Sequence, residues 1–198
     1  MMLLRISKRI VSGWSKSEII MMEYEEAYVY GVQLLLSTLI NISCIALIST
    51  VVGCSFAWIP FLLGFTPIRV TAGGYHAKTP LLCSAVFCGT YSIGIMLLGM
   101  INDAGLIPVC LFNSITAIVI VYLYSPLPAH NKPLSQMEME NKRTLSIVIV
   151  SVLFLAMVIS ATLKVGVGVM SYVSFGELVA AILCYVAKLL QHKGKMMH

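Results

Sequence analysis

The sequence predicts an all-α integral membrane protein with six transmembrane helices and an amphipathic helix at its N-terminal end. Of its 198 residues, 59% are hydrophobic and only 11% are charged, whereas a soluble domain usually carries about a quarter charged residues. Nearly all of the charges crowd into short stretches that separate long apolar runs. Such a chain has too few polar groups to coat a conventional core, so lipid must be the solvent for most of its surface.

Six apolar segments account for the long runs. A helix needs about 20 residues to cross a hydrocarbon core of about 30 Å. The second segment, 54–68, is marginal and is interrupted by Pro60, so we expect it to be tilted, kinked or re-entrant. The segments are 31–52, 54–68, 82–101, 106–124, 145–163 and 166–187.

The placement of lysine and arginine tests this count, because basic residues are retained on the cytoplasmic side of short loops. If all six segments cross and the N-terminus is inside, only Lys164 among the 13 lysines and arginines falls outside. Omitting segment 54–68 would move either the N-terminal cations or most of the others to the wrong side. The sequence thus predicts six crossings with both termini cytoplasmic. The cytoplasmic set is Arg5, Lys8, Arg9, Lys16, Arg69, Lys78, Lys132, Lys142, Arg143, Lys188, Lys193 and Lys195.

The regions outside the spans have distinct characters. The N-terminal region is expected to form an amphipathic helix on the inner leaflet, either as a topology anchor or as a docking site for a peptide. Ser15 stands three residues before Glu18, the spacing of a capping box. The cytoplasmic loop 125–144 contains three prolines and is expected to be extended at its start. The predicted division of the chain is an interfacial helix at 1–30, a transmembrane domain at 31–187 and a cytoplasmic tail at 188–198.

Composition also argues against several other classes of protein. The formal net charge is +5, but the cations form no basic face long enough to follow a phosphate backbone, so lipid headgroups are expected to bind them rather than nucleic acid. No N-terminal apolar run ends at a small-residue cleavage site, so no removable signal peptide is expected. The six cysteines lack the spacing of a zinc site or a disulfide scaffold, so we expect reduced thiols, no metal and no other cofactor.

The residues best suited to catalysis lie in the stretch from Arg69 to Cys83. Gly73 and Gly74 permit positive φ and close approach of a substrate strand or an oxyanion to main-chain N–H groups. Pro80 suits the first turn of a helix, because it has no N–H to lose there, and so marks the start of the third segment. Cys83 then lies near the start of a helix, where the helix dipole favours a thiolate.

His76 and Cys83 are the candidate catalytic pair. On one continuous helix they would share a face but would sit roughly 10 Å apart, which is too far for proton transfer. The chain around the glycines and Pro80 must therefore fold back, so that His76 can act as general base while Cys83 attacks a carbonyl and forms a thioester. The competing interpretation is that His76 is a loop histidine facing the headgroups. His130 is a less favoured alternative base.

The remaining cysteines are expected to pack as small hydrophobes. Cys88 lies about 140° around its helix from Cys83 and is assigned to packing as well. The others in this group are Cys44, Cys54, Cys110 and Cys184.

The residues alone leave two alternative functions open. A six-helix transporter or channel would need ionisable groups inside its spans. Only Glu177 qualifies, and it could serve transport, orient the active site from a distance or make a packing contact to Asn41 or Asn113. A noncatalytic membrane scaffold is the other alternative, and it would tolerate replacement of Cys83.

The chain resembles the accessory gene regulator protein B (AgrB) family of bacterial quorum-sensing membrane peptidases. Length, hydropathy order and the amphipathic N-terminus extend the likeness over essentially the whole chain. The string Gly-Gly-x-His-Ala-x₅-Cys is the most specific feature. The matching residues are Arg69, the run 73–77, Cys83, the Tyr124-Ser125-Pro126 segment and Asn131-Lys132-Pro133.

The resemblance implies an activity and a set of site residues. The protein would cut an AgrD-like precursor peptide before its C-terminal tail and hold the N-terminal part as a thioester on Cys83. A cysteine or serine of the peptide would then capture the acyl group as a cyclic thiolactone or lactone signal. His76 would be the base, while Arg69, Gly73, Gly74 and Lys132 would shape the site or bind the precursor. The resemblance also implies a homodimer.

Overall fold

The computed structural model describes residues 2–16, 24–74, 80–127 and 135–196. Within these ranges the chain is all α-helix and turn, with no strand. The described helices are α1 (Met2–Lys16), α2 (Glu25–Val51), α3 (Trp58–Ala72), α4 (Pro80–Gly99), α5 (Asp103–Tyr124), α6 (Gln136–Leu163) and α7 (Val167–Met196).

Five of the described helices are long and apolar enough to cross a membrane, namely α2, α4, α5, α6 and α7. The all-α, multi-pass membrane fold predicted from composition is thereby confirmed. Of the six predicted segments, the exception is α3, which has 15 residues. At 1.5 Å per residue it is about 22 Å long, which is short of a hydrocarbon core of about 30 Å. The second segment is therefore short in the folded protein, as its sequence predicts.

Local sequence explains where several helices begin. As predicted, α4 starts at Pro80, whose missing N–H would have no partner in the first turn. The Asn102 side chain caps α5 by accepting a hydrogen bond of 2.9 Å from the Gly105 N–H. Ser135 and Glu138 form a capping box before α6, with reciprocal bonds of 3.2 and 2.9 Å. This cap lets α6 begin inside the polar loop, nine residues before the apolar run starts at 145.

Two of the predicted local features are wrong. Ser15 does not cap a helix, because it lies in the last turn of α1; Glu18 falls outside the described residues. Pro60 does not break the second segment, because it lies in the first turn of α3, where no intrahelical donor is required. The proline inside that helix is Pro67.

The shortest helix, α3, packs against α7 through glycines. A Cβ added at Gly176 would lie 2.8 Å from the Phe65 backbone nitrogen, and a Cβ at Gly64 would lie 2.9 Å from the Val173 carbonyl carbon. Real side chains do not tolerate such distances, so both positions require glycine. Small residues that let two backbones touch are a common basis of helix association in membranes.

Two buried clusters mark the two ends of the helical bundle. One is aromatic, and in it the Phe61 and Tyr91 rings lie 4.8 Å apart, edge to face. The other contains Ile68, Ala72, Val121 and Cys184, so it joins the C-terminal ends of α3 and α5 to the later part of α7. The start of α4 and the first turns of α6 reach this same end. The helix ends that carry the predicted site residues are thus brought together.

At the N-terminal side, α1 packs on the start of α2. Val11 of α1 is buried against Val29 and Val32 of α2. The cations Lys8 and Arg9 of α1 are exposed. Residues 25–30, which the sequence groups with the N-terminal element, belong to α2 in the structure.

Candidate active site

The structure describes the two helix ends that flank the predicted catalytic loop. α3 ends at Ala72, and α4 begins at Pro80. His76 lies between them but outside the described residues, as do His130 and Lys132 in the loop that follows α5. Arg69, Gly73, Gly74 and Cys83 are described, so the site can be built from these four residues.

Arg69 lies in the last turn of α3, where a cation interacts favourably with the helix dipole. Its guanidinium packs directly on Gly74, because a Cβ at that position would lie 3.2 Å from Arg69 Cζ and still closer to Nη1. Arg69 also interacts electrostatically with the thiols of Cys83 and Cys184. The guanidinium therefore packs against the chain that follows α3 and lies on the same cavity wall as Cys83 of α4.

The two thiols near Arg69 differ in their surroundings. Cys184 is fully buried, and its thiol donates to the Ala72 carbonyl oxygen at 3.8 Å. Cys83 is only half-buried and lines a cavity. A nucleophile must reach its substrate, so the geometry favours Cys83 over Cys184.

Gly73 ends α3 in a conformation that only glycine adopts readily, with φ of +79°. A Cβ at this position would lie 2.5 Å from the Leu127 carbonyl oxygen. The Leu127 N–H donates to the Ala72 carbonyl oxygen at 3.0 Å, so the chain after α5 is joined to the end of α3 by a main-chain hydrogen bond. The glycine is what allows the two backbones to meet.

Ser125 extends this connection to α6. Its hydroxyl shares a hydrogen bond of 2.8 Å with the hydroxyl of Ser146, and both side chains are buried. The Tyr124-Ser125-Pro126 segment noted in the sequence thus has a structural purpose. It fixes the start of the α5 to α6 connection on α6, while Leu127 fixes the same connection on the end of α3, beside the cavity.

A cavity of about 740 Å³ joins the site residues. Arg69, Gly73 and Cys83 all line it, together with residues of α2, α6 and α7. Its wall is largely apolar, with a few polar side chains. Ligand sites in proteins commonly have this size and character, about 300 to 1,000 Å³ with apolar walls and a small number of polar groups.

Two residues of this wall are not identified by sequence reasoning. Lys142 of α6 lines the cavity, although the sequence marks it only as one of the cytoplasmic cations. Asn41 of α2 lines it as well, and its Oδ1 atom is buried without a hydrogen-bond partner in the described part of the chain. Neither residue belongs to a local motif. Only the three-dimensional packing of α2 and α6 brings them to Cys83.

Glu177 lies away from the cavity. Its side chain is buried between α7 and α5, with Ser114 adjacent, and both carboxyl oxygens lack a hydrogen-bond partner among the described residues. A packing contact of Glu177 with Asn41 or Asn113 therefore includes no hydrogen bond to its carboxylate. Across the described ranges, no group of three or more histidine, cysteine, aspartate or glutamate residues could hold a metal ion.

Comparison with known families identifies one match. The family model described as Accessory gene regulator B matches residues 7–189, which is most of the chain. Comparison with curated proteins and with solved structures finds no match.

Proposed function

The chain belongs to the accessory gene regulator B family, and from this premise we propose that it is a membrane-embedded cysteine endopeptidase. The family assigns the protein to quorum-sensing peptide processing, and its helices make it a multi-pass membrane protein. The proposed substrate is an AgrD-like precursor peptide, which the enzyme cleaves before the C-terminal tail. The retained part becomes a cyclic signal peptide.

The proposed chemistry has two acyl transfers. The Cys83 thiol gives its proton to His76, and the resulting thiolate attacks the carbonyl carbon of the scissile peptide bond. A C–S bond forms and the carbonyl oxygen becomes an oxyanion. The C–N bond then breaks, and the leaving amine takes a proton from His76. In the second transfer a thiol or hydroxyl of the precursor gives its proton to His76 and attacks the thioester. The Cys83 thiolate leaves, and a thiolactone or lactone remains.

The observation that carries this proposal is the cavity shared by Cys83, Arg69 and Gly73. Arg69 and Cys83 line this cavity together, so the guanidinium lies on the same wall as the thiol that attacks in the first step. Among the described residues near Cys83, donors suited to stabilise an oxyanion are main-chain N–H groups near Gly73 and Gly74, the Arg69 guanidinium and Lys142.

The proposed topology has six crossings, with both termini and the active site in the cytoplasm. α3 supports this arrangement because it lies along α7 from Phe61, near Gly176, to Ala72, near Cys184. A helix of about 22 Å that is paired along its length with a spanning helix is long enough to traverse most of the bilayer, which supports a sixth crossing. Lys164 caps the end of α6, at the connection to α7 that this topology places outside.

The test is co-expression with a tagged precursor peptide encoded beside this chain, followed by mass spectrometry of the products. Cys83→Ala is expected to abolish cleavage because the thioester cannot form, and His76→Ala is expected to do the same because the proton carrier is lost. Cys184→Ala is the matched control, since it removes the other thiol near Arg69 and should leave cleavage in place. Cleavage by a well-inserted Cys83→Ala protein would refute the proposal.

A further inference from the structure

The cavity continues well beyond Cys83, along the faces of several helices. On α4 its lining residues are Cys83, Val86, Phe87 and Thr90, the spacing of one continuous helix face. Seven residues at 1.5 Å per residue place Thr90 about 10 Å further along the helix than Cys83. The cavity therefore runs from the proposed nucleophile at the helix start into the middle of the span.

The wall of this deep part is apolar on several sides. Phe65 of α3 and Phe87 of α4 face each other there, with ring centroids 5.2 Å apart. Val179 of α7 contributes further aliphatic surface, and Leu183, next to Cys184, extends the apolar wall toward the end of α3. Such a wall binds aliphatic or aromatic groups by removing them from water, and it offers little to a charged group.

We propose that the deep part of the cavity is the subsite for the apolar side chain of the precursor residue immediately before the scissile bond. This inference rests on the proposed function. That residue supplies the carbonyl that Cys83 attacks, so its side chain lies next to Cys83 both in the substrate complex and in the thioester. The leaving tail departs after the first transfer, whereas the acyl part must be retained until cyclisation. A cavity that extends from Cys83 is suited to hold the acyl part of the precursor, which remains bound after the first transfer.

The same wall explains how a thioester could last long enough to cyclise. Apolar side chains exclude water from a bound acyl group, which suppresses hydrolysis as a side reaction. A thiol or hydroxyl carried by the bound peptide remains close to the thioester, and its effective concentration far exceeds that of an external nucleophile. The subsite thus favours internal capture over release of a linear peptide.

The experiment measures side-chain size selectivity in membranes that contain the full chain. Two tagged precursors are compared, with either phenylalanine or alanine at the residue before the scissile bond. Thr90→Phe fills the deep end of the cavity, and Val86→Phe places the same bulk one turn nearer Cys83. Ile93→Phe is the matched control, because Ile93 is 63% exposed on the same helix and does not line the cavity.

We expect Thr90→Phe or Val86→Phe to lower kcat/KM for the phenylalanine precursor by about 10-fold relative to the alanine precursor, a typical effect of a size change in an apolar pocket. The Ile93→Phe protein should keep the selectivity of the parent. Unchanged selectivity in both cavity variants would overturn the subsite while leaving the proposed function intact. An equal slowing of both precursors, which is expected if the cavity holds lipid, counts as unchanged selectivity. Failure of the parent to cleave either precursor would instead refute the proposed function, and the subsite with it.

Discussion

At the scale of single residues, the contact of Arg69 with position 74 gives the clearest requirement for a particular residue, glycine. The glycine has φ of +142°, and a Cβ there would collide with the guanidinium. We expect Gly74→Ala to displace Arg69 from Cys83 and to reduce the cleavage rate by about 100-fold, the scale of loss that a 1 Å displacement of a positioned group can cause. The rate of precursor cleavage, normalised to the amount of inserted protein, is the measurement.

The control for this substitution is Gly89→Ala on α4. No atom outside the local helix lies within 4 Å of a Cβ at position 89, so cleavage should stay near the parental rate. A Gly74→Ala protein that cleaves as fast as the Gly89→Ala protein would show that the position of Arg69 is not important for the reaction.

Residue-level reasoning succeeded where the chemistry is local. Pro80 and Cys83 could be assigned to the start of a helix because proline has a strong positional preference there. The importance of Gly73 was also predictable, but the reason was not, since its neighbour Leu127 is distant in sequence. The position of Asn41 and Lys142 in the cavity wall could not be predicted, because a single polar residue on a helix does not indicate which helix it will face.

At the scale of helices, the crossing of α3 and α7 depends on two glycines. We expect Gly64→Ala to destabilise the protein by about 1–3 kcal/mol, because an added methyl group in a filled contact forces the backbones apart. Thermal unfolding in detergent measures the effect, with Gly89→Ala again as the reference. Equal unfolding temperatures for the two variants would mean that α3 and α7 are not in close contact.

Helix positions were well predicted by hydropathy, whereas helix ends were not. The apolar run from 145 identified α6, but the capping box at Ser135 and Glu138 starts the helix earlier. Hydropathy reports the part of a helix that faces lipid, and a capping residue reports where the backbone becomes helical. The short α3 was recognised as marginal from its length alone, but its pairing with α7 required the structure.

At the scale of the whole molecule, the number of crossings decides the topology. In a background without native cysteines, we expect a membrane-impermeant thiol reagent to label Asp103→Cys and Ser55→Cys from outside. Lys78→Cys should react only after permeabilisation. Positions 55 and 78 flank α3, so their opposite behaviour follows if that helix crosses the bilayer.

This labelling experiment separates two arrangements. Reaction of Ser55→Cys and Lys78→Cys from the same side would mean that α3 does not cross and that the protein has five spans. Reaction of Lys78→Cys from outside, with Asp103→Cys protected, would invert the topology and place Cys83 on the external face.

The depth of the cavity has a consequence for how the proposed peptidase would meet its precursor. A precursor that carries further apolar residues beside the one held in this cavity also partitions into the bilayer. Encounter then occurs by diffusion in two dimensions, and the quantity that sets the rate is the number of peptides per unit area of membrane. Signal output would consequently follow the ratio of precursor to lipid, so that a cell enlarging its membrane at constant precursor synthesis would produce less signal per enzyme.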